Sequence, residues 1–219
     1  QRRQWTQRWY QDMQAPLVHP QLDRLRAVQL DWTGIRYWQA EQLPNSYKNY
    51  REGFQPGGER MAWRYWHSFQ KARMANYSRH LSKPTESRRS CSRLSPYIAY
   101  GCISVREIYQ STELLKQQRG WEHQLNNFQS RIWWRSHYMQ KLESEWEMEL
   151  MPLNRQLLDI DRRQDGPLFT AWATGQTGMP MVDASIRCLE ATGWINFRMR
   201  AMLATYATFT LWLDWRPVA

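Results

Sequence analysis

Residues 91–96 read Cys-Ser-Arg-Leu-Ser-Pro and gather two hydroxyls, a guanidinium and a run of backbone N–H groups where a short helical pattern begins. Unpaired N–H groups at a helix start attract anions, and an arginine adds a forked, charge-assisted donor, so the motif suits a phosphate or pyrophosphate. Ser-Pro is also an ordinary helix opening, and capping alone accounts for the same residues. A second constellation is Asn127, Arg131, Trp134 and Tyr138, spaced three or four apart and therefore on one face of a helix. Such a face can stack bases and hold phosphates, while arginine stems lying over Trp rings at a partly exposed surface need no ligand at all. Further on, Arg198 and Arg200 follow Gly193 near another helix start, where they oppose the dipole and call for a compensating anion from a ligand or a protein carboxylate.

Other clusters carry less. Glu143, Glu145, Glu147 and Glu149 read as a solvated acidic patch, and the five His residues show no metal or catalytic spacing. Cys91, Cys102 and Cys188 form neither a CxxC nor an even set, so they read as reduced, packed thiols rather than disulfide, zinc or iron-sulfur ligands; no metal is expected.

These groups sit on a chain of 219 residues, long enough for one large domain with a real core. Hydrophobic residues make up 42% and Trp alone contributes 14 residues, which excludes a disordered chain. The net charge is +10, and 25 of the 30 cations are Arg. Arginine is the cation suited to bidentate phosphate contact and to stacking on rings, so the balance points to a nucleic acid or nucleotide partner. Residues 201–213 are interrupted by Thr205, Thr208 and Thr210 and fall short of the roughly 20 apolar residues of a membrane helix. The start, Gln1-Arg2-Arg3-Gln4-Trp5, lacks an initiator Met and the apolar core of an export signal, so the expectation is a cytoplasmic piece of a longer protein. Nothing in the sequence sets an oligomeric state.

The elements that must position the motifs are helical. Residues 1–58 read as a connecting, peripheral region rich in Gln, Trp and Arg, with turn signals and one helix expected at residues 22–30. Residues 59–219 read as an all-α domain. Ala62, Tyr65, Trp66, Phe69 and Ala72 recur at helical spacing, and a polar loop at residues 76–91 separates them from the helix opening at Ser95-Pro96. Ser104 and Glu107 form a capping box. Trp121, Leu125, Phe128, Ile132, Met139 and Leu142 form the stripe of a long helix. Pro180 opens a helix that Gly193 ends, and a last helix is expected from residue 194 to about 213.

Taken in order, these stretches resemble the flavin-binding domain of the DNA photolyase and cryptochrome family. The matching residues are Pro56-Gly57-Gly58-Glu59; Tyr77 with Pro84; Ser92 to Tyr97 running into Gly101-Cys102-Ile103-Ser104; and Trp134-Arg135. Residues 169–200 add Trp172, Gly175, Thr177-Gly178, Pro180, Val182-Asp183-Ala184, Arg187, Thr192-Gly193-Trp194 and Arg198, and Asp214-Trp215-Arg216 completes the set. The landmarks cover residues 56–216, and their joint order is far more specific than any one of them.

The resemblance implies a multihelical, all-α domain holding FAD, here incomplete, and in the parent protein a blue-light lyase that repairs DNA by electron transfer. It implies that Tyr77, Cys91, Ser92, Arg93, Leu94 and Ser95 contact the FAD phosphates and ribose, and that Arg200 lies against the flavin as half of an ion pair. It places Arg131, Trp134, Arg135, Tyr138, Phe197 and Arg198 on the surface that receives DNA, duplex or single strand, and a flipped lesion. Trp215 matches the middle member of a tryptophan electron-transfer chain. Where the family has a Glu before the Trp-Arg pair this chain has Arg131, and it has Ser136 for an acidic residue, Asn196-Phe197 for His-Asn, Leu81 for a basic residue and Arg162 for a surface Trp. An acceptor turned cation disfavours ordinary cyclobutane-dimer repair. The alternatives are a non-repairing cryptochrome-like light sensor and a basic nucleic-acid-binding module without flavin. With the carboxylate partner of Arg200 expected beyond Ala219, this chain alone is expected to hold FAD poorly or not at all and to be inactive.

Overall fold

The computed structural model describes residues 2–18, 21–26, 42, 44, 45 and 49–219. Among them no sheet forms, and Arg163 pairs with Leu213 in an isolated bridge. The helices are α1 (Arg2–Gln14), α2 (Glu59–Ser68), α3 (Tyr77–His80), α4 (Ser87–Ser90), α5 (Ser95–Ala99), α6 (Val105–Arg119), α7 (Glu122–Ser144), α8 (Gly166–Ala173), α9 (Pro180–Thr192), α10 (Phe197–Thr205) and α11 (Trp215–Val218). The expected polar loop at residues 76–91 instead contains the two short helices α3 and α4.

Local rules account for most boundaries. The Ser104 hydroxyl accepts from Arg106 N at 3.2 Å while Glu107 accepts from Ser104 N at 3.1 Å, closing the capping box that starts α6. Gly120 at φ 64° ends it. Gly193 ends α9 at φ 64°, and a Cβ there would lie 2.6 Å from the Phe54 ring, so conformation and space both require glycine.

Two apolar clusters result. In the first, Trp66, Phe69, Tyr77 and Phe128 meet ring to ring: Phe128 lies 5.6 Å from Trp66, 5.2 Å from Phe69 and 5.8 Å from Tyr77. The α7 stripe holds through Leu125, Phe128 and Ile132 and then leaves the core, because Met139 and Leu142 are exposed. α1, a helix that the sequence signals did not place, packs chiefly on α6 and reaches α7 at Trp133 and His137. Trp9 of α1 is buried against Tyr109, and Trp5 packs on Trp133 at 5.0 Å. Of the helix expected at residues 22–30, Leu22–Arg24 form a single 3₁₀ turn, and residues 27–30 lie outside the described residues.

The second cluster is Val182, Ile186, Ile195 and Leu203, joined by Trp172, Met199 and Tyr206. The helix expected from residue 194 begins later, at Phe197, because the Asn196 side chain accepts from Met199 N at 2.8 Å and caps it there. Polar contacts join the clusters. Arg88 donates to Thr192 Oγ1 at 3.0 Å and to the Trp194 carbonyl at 3.1 Å, while Asn196 donates to the Lys83 carbonyl and to Ser87 Oγ.

Asp183 fixes the turn ahead of α9. Its carboxylate accepts from Thr177 Oγ1 at 2.6 Å, Thr177 N at 2.9 Å and Gly178 N at 3.0 Å. The Thr177 hydroxyl first, then the two amides and the Arg187 charge, hold this carboxyl below its ordinary value. A depressed folded value makes the contribution complete above the unfolded value near 4, and it is lost as pH falls through the folded value. The difference in urea midpoint between the chain and Asp183→Asn is therefore expected to be widest near neutrality and to narrow below about pH 4. An equal difference at pH 7 and pH 3 contradicts it.

Candidate functional site

The segment between α4 and α5, residues 91–94, is held from beneath by the half-buried Arg73. Arg73 donates to the carbonyls of Cys91, Tyr65 and Ser92, the last two at 2.6 and 3.3 Å. Cys91 and Leu94 point into the core, and burial pushes the Cys91 thiol up to about 11. Arg93 adopts φ 60°, a left-handed conformation costly for a side chain of this size, and two hydrogen bonds with one residue hold it there. Gln55 Nε2 donates to the Arg93 carbonyl at 2.9 Å, and Arg93 Nε donates to Gln55 Oε1 at 3.0 Å.

The Arg93 guanidinium lies 4.9 Å from the Trp194 ring centre, and its Nη2 is buried without a hydrogen-bond partner. A buried cationic N–H left unpaired costs free energy, so the position is poised for an acceptor. Desolvation lowers the pKa of both Arg73 and Arg93; the Arg93 charge adds to it at Arg73, and the Arg88 charge does so at Arg93. Beside them lies a cavity of about 590 Å³ lined by Thr85, Glu86, Arg88, Arg89 and Arg93. Its one lining carboxylate, Glu86, accepts from the Thr85 hydroxyl at 3.0 Å and pairs with none of these arginines. This donor set, rich in guanidinium groups and poor in acceptors, suits a phosphate or diphosphate.

The expected phosphate contacts are only partly gathered here. Arg93 lines the cavity, whereas Tyr77, Ser92 and Ser95 do not. Ser92 is half-buried with its Oγ accepting from Leu94 N at 3.4 Å, and Ser95 is exposed. Tyr77 is 3% exposed inside the aromatic core, where burial holds its hydroxyl well above the ordinary tyrosine value.

On α7, Arg131, Trp134 and Tyr138 are exposed along one face, and the rings of Trp134 and Tyr138 stack at 5.6 Å and 27°. Arg131 also reaches Asn127 Oδ1 at 3.4 Å, and Arg135 is half-buried, its pKa lowered by desolvation. Phe197, Arg198 and Arg200 are exposed on α10, the helix that gives Met199 and Leu203 to the second cluster. No carboxylate lies within ion-pair distance of Arg200 among the described residues. Trp215 is half-buried at the start of α11, with the Arg216 guanidinium 5.3 Å from its ring centre. Arg162 lies 4.0 Å from the ring centre of Trp212. Among the described residues, no helix is long and apolar enough to cross a membrane.

Four residues that shape the site carried no local signal in the sequence: Gln55, Arg73, Arg88 and Asn196. Their partners lie beyond any local pattern, with Gln55 meeting Arg93, Arg73 meeting Cys91, Arg88 meeting Trp194 and Asn196 meeting Ser87.

Comparison with known proteins bears on the fold and the family. Residues 128–219 match the family model described as the FAD binding domain of DNA photolyase. The chain is 31% identical to a deoxyribodipyrimidine photo-lyase of Alkalihalophilus pseudofirmus over 73% of its own length and 32% of that protein. It is likewise 31% identical to a cryptochrome DASH of Natronomonas pharaonis, over 57% of its length and 26% of that protein. Among solved structures, a class III photolyase from Agrobacterium tumefaciens superposes with a TM-score of 0.69 at 28% identity, covering 74% of this chain and 33% of that one. A Synechocystis cryptochrome superposes with a TM-score of 0.70 at 25% identity, covering 78% and 36%. The chain thus spans about a third of the length of such relatives. The all-α fold, the order of the landmarks and these matches agree: the chain belongs to the DNA photolyase and cryptochrome family.

Proposed function

We propose that this chain is the FAD-holding part of a blue-light flavoprotein that acts on DNA by electron transfer, with residues 59–219 as the flavin domain and residues 1–58 as a connecting region. The observation that carries the reading is the buried, unpartnered Arg93 Nη2 in a strained segment backed by Arg73. Arg93, with the polar groups of residues 91–95, would hold the FAD diphosphate, and Arg200 would lie against the flavin. When bound, the flavin supplies light absorption and one-electron chemistry. The protein binds, orients and excludes water. Trp134 and Tyr138 offer ring faces to bases, Arg131, Arg135 and Arg198 offer charge to phosphates, and Phe197 offers an exposed apolar face. Trp215 is assigned to electron transfer, and the setting is cytoplasmic.

A cryptochrome-like sensor without repair is the second reading. It is favoured by Arg131, which stands where a lesion-binding carboxylate is expected and reaches Asn127.

The test is an equilibrium titration with FAD and with riboflavin, which lacks the diphosphate. FAD is expected to bind with the higher affinity, though weakly, since Arg200 has no carboxylate partner among the described residues. Removing charge-assisted hydrogen bonds of about 1.5–3 kcal/mol, Arg93→Ala is expected to weaken FAD about 10- to 100-fold and leave riboflavin unchanged. Equal affinity for the two flavins, or an unchanged FAD affinity in Arg93→Ala, contradicts the assignment.

A further inference from the structure

The first helix is built unlike an ordinary solvated helix. Its buried side is Trp5, Trp9 and Met13, and its outward side carries Arg3, Gln4, Gln7, Arg8, Tyr10, Gln11 and Gln14, all exposed, with Asp12 the one carboxylate of the helix. A solvated surface helix normally mixes acids with bases at paired spacings, and neither Arg3 nor Arg8 has an ion pair among the described residues. Arg, Gln and Tyr are hydrogen-bond donors of the kind that reach phosphate and sugar oxygens.

The position of α1 is fixed at both ends. At its C-terminal end Gln110 donates to the carbonyls of Met13 and Ala15 at 2.9 and 2.8 Å. At its N-terminal end the Trp5 ring lies 5.0 Å from Trp133 and 5.4 Å from His137, and Trp133 in turn lies 5.2 Å from Trp134. One ring therefore separates Trp5 from the exposed Trp134–Tyr138 stack, and Arg3 and Arg8 lie within a helical turn of Trp5.

We propose that α1 is a second nucleic-acid contact element, with Arg3 and Arg8 binding backbone phosphates next to the region engaged by Trp134 and Tyr138. The inference rests on the DNA-binding reading above and adds to it a sequence-independent contact from a region that otherwise only connects. Its contribution is electrostatic, so it should tighten binding without altering base preference.

The test measures affinity of the 219-residue chain for a fluorescently labelled 20-base-pair DNA duplex at several salt concentrations. Neutralising two phosphate contacts changes the slope of log affinity against log salt by about 1.8, so Arg3→Gln/Arg8→Gln should bind with a slope shallower by nearly two. Its affinity at low salt should fall on the order of 5-fold, whatever the duplex sequence. The pair Arg3→Lys/Arg8→Lys should restore the slope. Both arginines are exposed, so the thermal midpoint and helical circular dichroism should stay unchanged; unaltered folding with an unaltered salt slope overturns the proposal. Trp134→Ala separates this outcome from the wider reading. If the parent chain binds DNA and Trp134→Ala weakens it while the α1 variants do not, only the role of α1 fails. If the parent chain does not bind duplex at all, the DNA reading fails and this inference with it.

Discussion

Replacing Trp66 by Ala is expected to lower the thermal midpoint by roughly 6–20 °C, because emptying a fully buried aromatic site costs about 3–5 kcal/mol and each kcal/mol shifts a chain of this size by about 2–4 °C. Trp66 has no exposed surface, stacks on Phe128 at 5.6 Å and 25°, and donates through its indole N–H to Ser111 Oγ at 3.1 Å. Phe69 and Tyr77 complete the same ring cluster, so the cavity left by alanine would be walled by rigid aromatic groups from the turn after α2, from α3 and from α7 that collapse poorly. Trp66→Phe keeps most of the ring volume and loses the hydrogen bond, and it should cost less than half as much. Thermal melts followed by circular dichroism decide the matter. A loss in Trp66→Ala no larger than in Trp66→Phe would mean that the site relaxes and that the ring cluster is not what ties these helices together.

The parts that were legible in the sequence are those specified by neighbours along the chain. The Ser104–Glu107 capping box, the glycine stops at 120 and 193, and the stripe of Ala62, Trp66 and Phe69 on α2 and the turn that follows it all appear where their spacing places them. The first helix went unread because its composition is dominated by Gln and Arg. Its one apolar signal, Trp5, Trp9 and Met13 at four-residue spacing, is narrow and sits among residues that resemble a linker. The start of α10 depends on distant residues: the three residues after Gly193 are kept out of the helix by a side chain that caps it, and that side chain is held by Ser87 and Lys83, more than a hundred residues earlier. The candidate site divides in the same way. Arg93 announced itself through its motif, but the conformation that makes it useful is imposed by Gln55 and supported by Arg73 through carbonyls that no local pattern marks. Tyr77 shows the converse, since its aromatic neighbours at Phe69 and Phe128 place it in the core rather than on the cavity that Arg93 lines.

Asn196→Ala is expected to destabilise the chain by about 2–4 kcal/mol, the sum of a lost cap worth about 1 kcal/mol and two lost buried hydrogen bonds worth about 0.5–1.5 kcal/mol each. Asn196 is 3% exposed and uses both ends of its amide: Oδ1 accepts from Met199 N at 2.8 Å, and Nδ2 donates to the Lys83 carbonyl at 3.0 Å and to Ser87 Oγ at 3.1 Å. The first bond starts α10 and the other two tie the second cluster to the segment ahead of α4. That segment leads into Arg88, which holds the Trp194 carbonyl, and the Trp194 ring lies against Arg93. Variants can separate the two roles. Asn196→Ser retains a capping oxygen but cannot bridge to Lys83, so it should recover only the cap, about 1 kcal/mol. Asn196→Asp also caps, yet it replaces the bridging N–H by an anionic oxygen facing a carbonyl, so it should be no more stable than the alanine variant despite its better interaction with the helix N-terminus. Urea midpoints at neutral pH rank the variants. The expected order is Asn first, Ser well below it, and Asp and Ala together at the bottom. Asn196→Ser as stable as the parent chain would show that the bridge contributes nothing and that Arg88 alone joins the clusters. In that case Arg88→Met should produce the larger loss.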